Sequence, residues 1–575
     1  MAAESGCARS VHLVVIETGD IQHYLFASNK VRENVGASEL VYRLGTQFVL
    51  EAVAELGGRN LWSEAAGRED GVRDRLVDPA ANPRIEDGST PAEIVIANSG
   101  RAVVLARDRE VATGIVQRVT RRALLEAPGL LVHGAVHGFD WHQQPVCEAE
   151  RDVRRKLDRV RVTLPGPEFR FLRLPIVAEC GTSGLPASEI EPEEEIALSA
   201  VSKAKRLKRP FFHERVAHLL GDGGGRFTRD IDELERGLDL CNWIAVVHAD
   251  GNGFGQMFID LAKKLGATDA SENRRYIDTL RTFSLALNRC AENAFRHAIG
   301  HLVPQDKDLV PLVPLVVGGD DLTVICPGGG ALDFAAAYLR QFERETSSDS
   351  LVSEIAERVF SERRLASCAG VAIMKPHYPF FQAYPIAEQL VKSAKQVKQI
   401  ATRNGRPRPC SALDFQVLHG SEGTDLDLIR QKMTADDGLT RLWARPYVVT
   451  PIAAQDLEGE EEHDAAWLKS RGWDEFKDRV AATHKESDGR RALPRSQLHD
   501  LREGLFQGRD VADYRLRLMW GRYKDSGLDR LVADAEKPSL FWRERDRDAE
   551  QKERHVTALL DVLDAEEFLT RGHQP

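Results

Sequence analysis

The stretch Leu315-Val316-Val317-Gly318-Gly319-Asp320-Asp321-Leu322-Thr323-Val324-Ile325-Cys326 runs from apolar residues into a Gly-Gly pair. It then meets two adjacent carboxylates and leaves through a second apolar run. β-Branched residues flanking a glycine signal predict strand, tight turn, strand. Asp320 and Asp321 then sit at or beside the tip of a hairpin whose strands are largely buried. Side by side they repel, and the turn has no Arg or Lys next to it in the sequence. A divalent cation would relieve the repulsion. Carboxylate oxygens suit Mg²⁺ or Mn²⁺, with substrate phosphates completing the shell. The plain alternative is a solvated hairpin tip.

A second stretch, Trp243-Ile244-Ala245-Val246-Val247-His248-Ala249-Asp250-Gly251-Asn252-Gly253-Phe254-Gly255-Gln256, repeats the pattern of an apolar strand ending in an acid and a glycine-rich turn. Met257, Ile259, Leu261 and Leu265 continue it as a helix. Asp250 therefore lies between a strand C-terminus and a helix N-terminus, where backbone N–H groups favour phosphate. If the two strands share a sheet, Asp250 can share a cation with Asp320 or Asp321.

At 575 residues the chain exceeds one core, and its 42% apolar and 29% charged composition is that of a globular protein. A net charge of −11 argues against a globally basic nucleic-acid binder, though a local basic groove is compatible with it. No apolar run is long enough to span a bilayer, and the first fifteen residues lack the features of a signal peptide. Eight cysteines with no C-x-x-C pair read as reduced core thiols of a cytoplasmic protein.

In chain order, Val11 to Glu17 predicts a strand, Tyr24 onward a helix, and Leu40, Leu44, Phe48, Val49 and Val53 the buried face of a longer one. Asn29, Lys30, Arg32 and Asn34 crowd the turn between them, as a solvated helix end or a site for phosphate or nucleobase edges. A hairpin around Asn98-Ser99-Gly100, a helix from Asp108 to Leu125 and a strand from Leu130 to His137 complete a first α+β unit, residues 1–165. Residues 166–238 form a connector with an acidic run (Glu189 to Glu195) and a basic one (Val201 to Arg209), read as a surface helix able to touch phosphate. Residues 239–420 form a second palm-like unit, with helices at Arg274–His301, Leu332–Glu345 and Pro385–Ile400 and a strand at Cys368–Met374. Residues 421–575 read as a helical domain, with helices from Asp425 to Leu442, Trp467 to Thr483, Ser496 to Glu503, Val511 to Tyr523 and Gln551 to Leu569. Its two His-Asp dipeptides, at His463 and His499, lack the further ligands of a metal phosphohydrolase.

These blocks resemble the large palm-domain subunit of type III CRISPR effector complexes, from about Val11 to about Leu418. The resemblance rests on Gly19-Asp20-Ile21-Gln22 through Lys30, Gly36-Ala37-Ser38, Asp250-Gly251-Asn252-Gly253, Gly318-Gly319-Asp320-Asp321 and the helix Ala387-Glu388 to Ala394-Lys395. It implies an α+β fold of two ferredoxin-like palm domains, of the nucleotide cyclase type, plus a C-terminal α-helical domain. It implies synthesis of cyclic oligoadenylate second messengers from ATP by metal-dependent 3′-hydroxyl attack on the α-phosphate. Asp250, Asp320 and Asp321 are the implied catalytic residues, and with the Gly251 carbonyl they are the implied ligands of Mg²⁺ or Mn²⁺. Gly251, Asn252, Gly253, Phe254, Gly318, Gly319 and Lys395 are the implied nucleotide contacts. Implied partners are ATP, guide or target RNA and other effector-complex subunits, with a homodimer as a further option and no membrane.

Three departures modify the expectation. The sequence begins at the first palm, so the family's N-terminal nuclease domain and its DNA cleavage are not expected. Cys180-Gly181 with Gly184-Leu185-Pro186-Ala187 looks like the remnant of a zinc element with one cysteine left, so no zinc is expected. Asn252, neutral and a weaker metal ligand, stands where many relatives carry a second Asp. The competing functions are a catalytically weak palm-fold scaffold for RNA, nucleotide or proteins, and, less favoured, a diguanylate cyclase using GTP.

Overall fold

Val11, Leu13, Val14, Val15 and Ile16 are all buried in the first strand, β1 (Ser10–Gly19), the centre of one of two similar sheets. The structure, a computed structural model, describes residues 10–569 apart from 63–68, 193–194, 224, 237–242, 266, 303–308, 377, 404–405, 421–422, 436–437, 454–461, 488–489, 534–535 and 546–552. After β1 come α1 (Ile21–Phe26), α2 (Val31–Arg43), a π-helical turn (Leu44–Phe48), α3 (Val49–Glu55) and α4 (Glu69–Val77). The anticipated hairpin is β2 (Ala92–Asn98) and β3 (Arg101–Ala106), followed by α5 (Arg109–Glu126), β4 (Leu131–Asp140) and α6 (Val146–Thr163). The strand order is β2-β3-β1-β4.

The connector holds β5 (Glu189–Glu191), β6 (Ile196–Leu198), α7 (Ala200–Val216), β7 (Arg226–Phe227) and α8 (Ile231–Arg236). The acidic run is thus partly a strand, and the basic run is less a surface than a seam. Lys205 is buried, with Nζ on the Tyr24 carbonyl and 4.3 Å from the Tyr24 ring centroid, while Arg206 pairs with the buried Glu33 at 2.9 Å. Gly36 on α2 makes this possible, because a Cβ there would come 1.7 Å from the Lys205 carbonyl oxygen.

The second unit runs β8 (Ile244–Gly251), α9 (Phe254–Lys264), α10 (Asn273–Ile299), β9 (Leu309–Val310), β10 (Val313–Gly318) and β11 (Asp321–Pro327). It continues with α11 (Ala331–Ser348), α12 (Ser350–Phe360), β12 (Ser367–Met374), α13 (Phe380–Ala394), the short β13 (Thr402–Arg403) and β14 (Arg406–Pro407), and β15 (Ala412–Leu418). Its sheet order, β10-β11-β8-β12-β15 and then the short strand Tyr447–Val448, starts with the wiring of the first sheet. The chain therefore holds two palm units of the same topology. Helices α6 and α12 go beyond the sequence expectations. Helix α13 starts five residues before Pro385, which lies inside it, and ends in a 3₁₀ turn, Lys395–Gln399.

Expected to be helical throughout, the C-terminal part is mixed. The helix anticipated over Asp425–Leu442 is only Leu426–Gln431, followed by strands Thr434–Ala435 and Thr440–Arg441, which join Trp542–Arg545 and Glu553–Val556 in a four-stranded sheet. Likewise Trp467–Thr483 is two helices, Glu462–Ser470 and Trp473–Thr483. At the end of the chain, the helix is Leu559–Ala565. Fully buried Arg445 and Asp561 pair at 2.9 Å, and the Tyr447 hydroxyl donates to Asp561 at 2.8 Å, fixing this part to the second sheet. No described helix is long and apolar enough to cross a membrane.

Helix α10 of the second palm lies on the first. Arg274 and Arg281 both bond the fully buried Glu93 of β2, and Asn273 accepts from the Val146 amide at 2.8 Å and donates to the Trp141 carbonyl at 2.8 Å. Burial pushes the Glu93 carboxyl up, but its two guanidinium partners outweigh this and hold it below its ordinary value. On the other side of the seam, Phe26 of α1 stacks on Tyr384 of α13 with centroids 3.7 Å apart.

Candidate active site

Antiparallel pairing of β11 on β8 makes Asp321 the direct register partner of Asp250, and Asp321 also pairs across the turn with Gly318. Gly318 (φ 147°) and Gly319 (φ 67°) take backbone conformations that side-chain-bearing residues rarely adopt, which is why the turn is built of glycine. Three carboxylates thus gather at one strand end. The sequence did not bring a cation to the turn, but the fold does: Nζ of Lys395, just past α13, bonds Oδ2 of Asp250. Burial and the charges of Asp250 and Asp321 push Asp320 well above the usual carboxylate range. Burial and Asp250 likewise push Asp321 up to about 8. Asp321 keeps 41% of its side-chain surface open to the cavity, so solvent screens part of this repulsion. Its Oδ1 has no hydrogen-bond partner and lies 3.4 Å from Nδ1 of His248, which contacts Thr323 Oγ1 at 3.0 Å.

The first palm shows what the same positions do without the acids. In its row, Asn98 pairs with Arg101 and Arg101 with Glu17, where the second palm has Gly318, Asp321 and Asp250. Arg101 Nε lies 3.3 Å from Glu17, which also pairs with Arg161. Guanidinium groups neutralise the acid there, so the crowding of carboxylates belongs to the second palm alone.

A cavity of about 320 Å³ lies between the palms. Gly318, Gly319, Asp320 and Asp321 line it from one side, and Ser38, Tyr42, Asn98, Ser99 and Arg101 from the other. Arg73, Arg154 and Arg215 also line it together with Glu150 and Glu292, Arg73 pairing with Glu292 and Arg215 with Glu39. Among these, Arg101, Asn98 and the α10 residue Asn288 escaped the sequence reading. The hairpin at Asn98 was visible, but its alignment with the Gly318–Asp321 turn depends on the repeat of topology.

Other expected contacts lie elsewhere. Phe254 is buried at 3% exposure beneath Gly251, where a Cβ would come 2.2 Å from its ring, so it is a core residue seating the turn rather than a wall of the cavity. Asn252 is also buried, and its Nδ2 donates to the Cys410 carbonyl at 3.1 Å while its N–H donates to Ala366 O at 2.9 Å. Asn252 therefore ties the strand end to β15 and its neighbours. Gly253 opens α9 with φ 86°. Asn29 accepts from the Phe381 amide at 3.3 Å and Asn34 is fully buried, while Lys30 stays exposed. Cys180 sits among hydroxyls, 3.3 Å from Thr182 Oγ1 and 3.5 Å from Ser202 Oγ.

Among the described residues no three His, Cys, Asp or Glu side chains converge on a common point able to hold a metal. The donor chemistry nevertheless fits a hard divalent cation. Three carboxylates share one lysine, two of them resist ionisation, and one buried oxygen is orphaned.

Residues 243–404, from the residue before β8 to the residue after β13, match the family model of Cas10/Cmr2, second palm domain. Among solved structures, the chain is similar to a Csm1-Csm4 cassette in complex with cA4, at 12% identity and a TM-score of 0.49, over 97% of this chain and 71% of that one. It is similar to a Csm1-Csm4 cassette in complex with AMPPNP, at 13% identity and a TM-score of 0.45, over 92% of this chain and 66% of that one. It is also similar to the apo state of a type III-B Cmr-beta complex, at 11% identity and a TM-score of 0.48, over 97% of this chain and 81% of that one. No curated protein matches the chain.

Proposed function

We propose that this chain, which carries a second palm domain of the Cas10/Cmr2 type, is a nucleotidyltransferase that joins ATP into cyclic oligoadenylates in CRISPR-type defence. The observation that carries this reading is the cross-strand pair Asp250–Asp321, with Asp320 beside it, opening on a cavity between two palms of like topology. Asp250, Asp320, Asp321 and the Gly251 carbonyl would hold Mg²⁺ or Mn²⁺. Such an ion, when bound, neutralises charge on the α-phosphate and the departing pyrophosphate. Gly318 and Gly319 leave room for phosphates to approach the backbone. Lys395 supplies a point charge, held on Asp250 in the free protein and available to a triphosphate once that carboxylate has another partner. Arg101 and its neighbours on the opposite wall suit the phosphates of a second nucleotide, whose 3′-hydroxyl and α-phosphate must meet those of the first. Guide or target RNA and other effector subunits are the proposed regulators.

The Lys395–Asp250 pair also favours a second reading, a scaffold whose acids are neutralised internally. Incubation of purified protein with labelled ATP and Mn²⁺, with and without RNA, separates the two. Cyclic or linear adenylate products, lost in the Asp320→Ala plus Asp321→Ala variant, support the enzyme. Product from GTP alone would indicate a diguanylate cyclase. No product under any condition, with nucleotide binding unchanged in the double variant, would sink the enzymatic reading.

A further inference from the structure

The two hairpin tips that face each other across the cavity are joined by side chains. The Gly319 N–H donates to Oδ1 of Asn288 on α10, a bond from outside the hairpin. A carboxamide that accepts at one end presents its NH₂ at the other, and Asn288 Nδ2 lies 3.4 Å from Oδ1 of Asn98, at the tip of the first palm's hairpin. Asn98 in turn donates through Nδ2 to Ser284 Oγ at 2.7 Å, one helical turn before Asn288. Each amide has only one orientation that satisfies this chain, since a flipped Asn288 would set NH₂ against the Gly319 N–H.

The two ends differ in stiffness. The Asn98 tip is a fixed post. Gly45 in the π-helical turn leaves space for the Asn98 carbonyl, which a Cβ would approach to 1.8 Å. Gly100 N–H donates to Val41 O at 3.0 Å, and Thr18 N–H to Gly100 O at 2.8 Å. The opposite turn is a Gly-Gly pair, the most pliable backbone available, carrying two repelling carboxylates.

We propose that Asn288 is a positioning residue, which borrows the rigidity of the first palm's Asn98 tip to hold the Gly318–Asp321 turn with its carboxylates on Asp250. A ligand that touches the Asn98–Arg101 tip thereby also biases the geometry of the acids in the other domain. The catalytic consequence rests on the function proposed above; the mechanical link does not.

Hydrogen exchange on the full chain without metal or nucleotide tests the link itself. In Asn288→Ala, amides of the 319–321 segment should exchange about tenfold faster, with α10 and residues 313–317 unchanged. Asn98→Ala should move the same segment in the same direction. Asn98→Asp, which still accepts from Asn288, should restore the wild-type rate. Unchanged exchange in Asn288→Ala, or Asn98→Asp as fast as Asn98→Ala, overturns the proposal. In Mn²⁺ titration and ATP turnover, Asn288→Ala should lower kcat about tenfold with little change in KM. Faster exchange together with a wild-type protein inert toward Mn²⁺ and ATP would overturn the proposed function while upholding the link.

Discussion

At the scale of single residues, Asp321 illustrates a site that costs stability. It is held beside Asp250 by strand register and beside Asp320 by chain connectivity, with one lysine for three acids. Asp321→Asn removes a carboxyl that ionises readily in the unfolded chain but is kept from ionising in the folded site, so at neutral pH the metal-free protein should melt at a higher temperature by calorimetry, while product formation falls roughly 100-fold or more. His213 gives a pH signature away from the site. Burial, with Arg209 and Arg229 close by, pulls it from its usual 6.5 down to about 4, against a weaker opposing pull from Glu233. Between these values the unfolded chain binds a proton that the folded chain refuses, so the group's contribution to stability is present above pH 6.5 and is lost as pH falls toward 4. His213→Gln should flatten that part of a plot of melting temperature against pH. The acidic pair was legible in the sequence because its members are adjacent. Asn98 and Asn288 were not, because 190 residues separate two amides that have no chemistry alone.

At the scale of elements, the buried strands declared themselves through β-branched runs, and β8, β10, β11 and β12 lie where these were read. Helix α6 did not. Its buried residues Val146, Ala149, Val153 and Leu157 have helical spacing, but a dense run of charges hides them. The C-terminal strands were also missed, being two to four residues long and stabilised by partners distant in sequence. Close contact between α2 and α7 is decided by Gly36, and the resemblance gave that glycine no structural task. Gly36→Ala should cost about 2 kcal/mol by overpacking against the Lys205 carbonyl, read by chemical denaturation.

At the scale of the whole molecule, the relation between the palms depends on α10. Glu93→Gln leaves Arg274 and Arg281 without their buried carboxylate and should cost roughly 3 kcal/mol. Faster hydrogen exchange in both β2 and α10 would report the loosened seam; a change limited to β2 would mean that the seam does not depend on this pair.

The sequence by itself determined the strand-turn-strand signal that carries Asp320 and Asp321 and the strand-turn-helix signal that carries Asp250, because strand periodicity and glycine turns are local properties; the palm class followed from the resemblance of these blocks to a known family. Only the tertiary structure decided which groups meet. It set Asp250 against Asp321, brought Lys395 to the site, turned Asn252 and Phe254 away from the cavity and put Arg101 where the other palm has an acid. The physical reason is that strand pairing and helix packing join residues far apart in the chain, and the charge of a carboxylate acquires its meaning only from its neighbours in space.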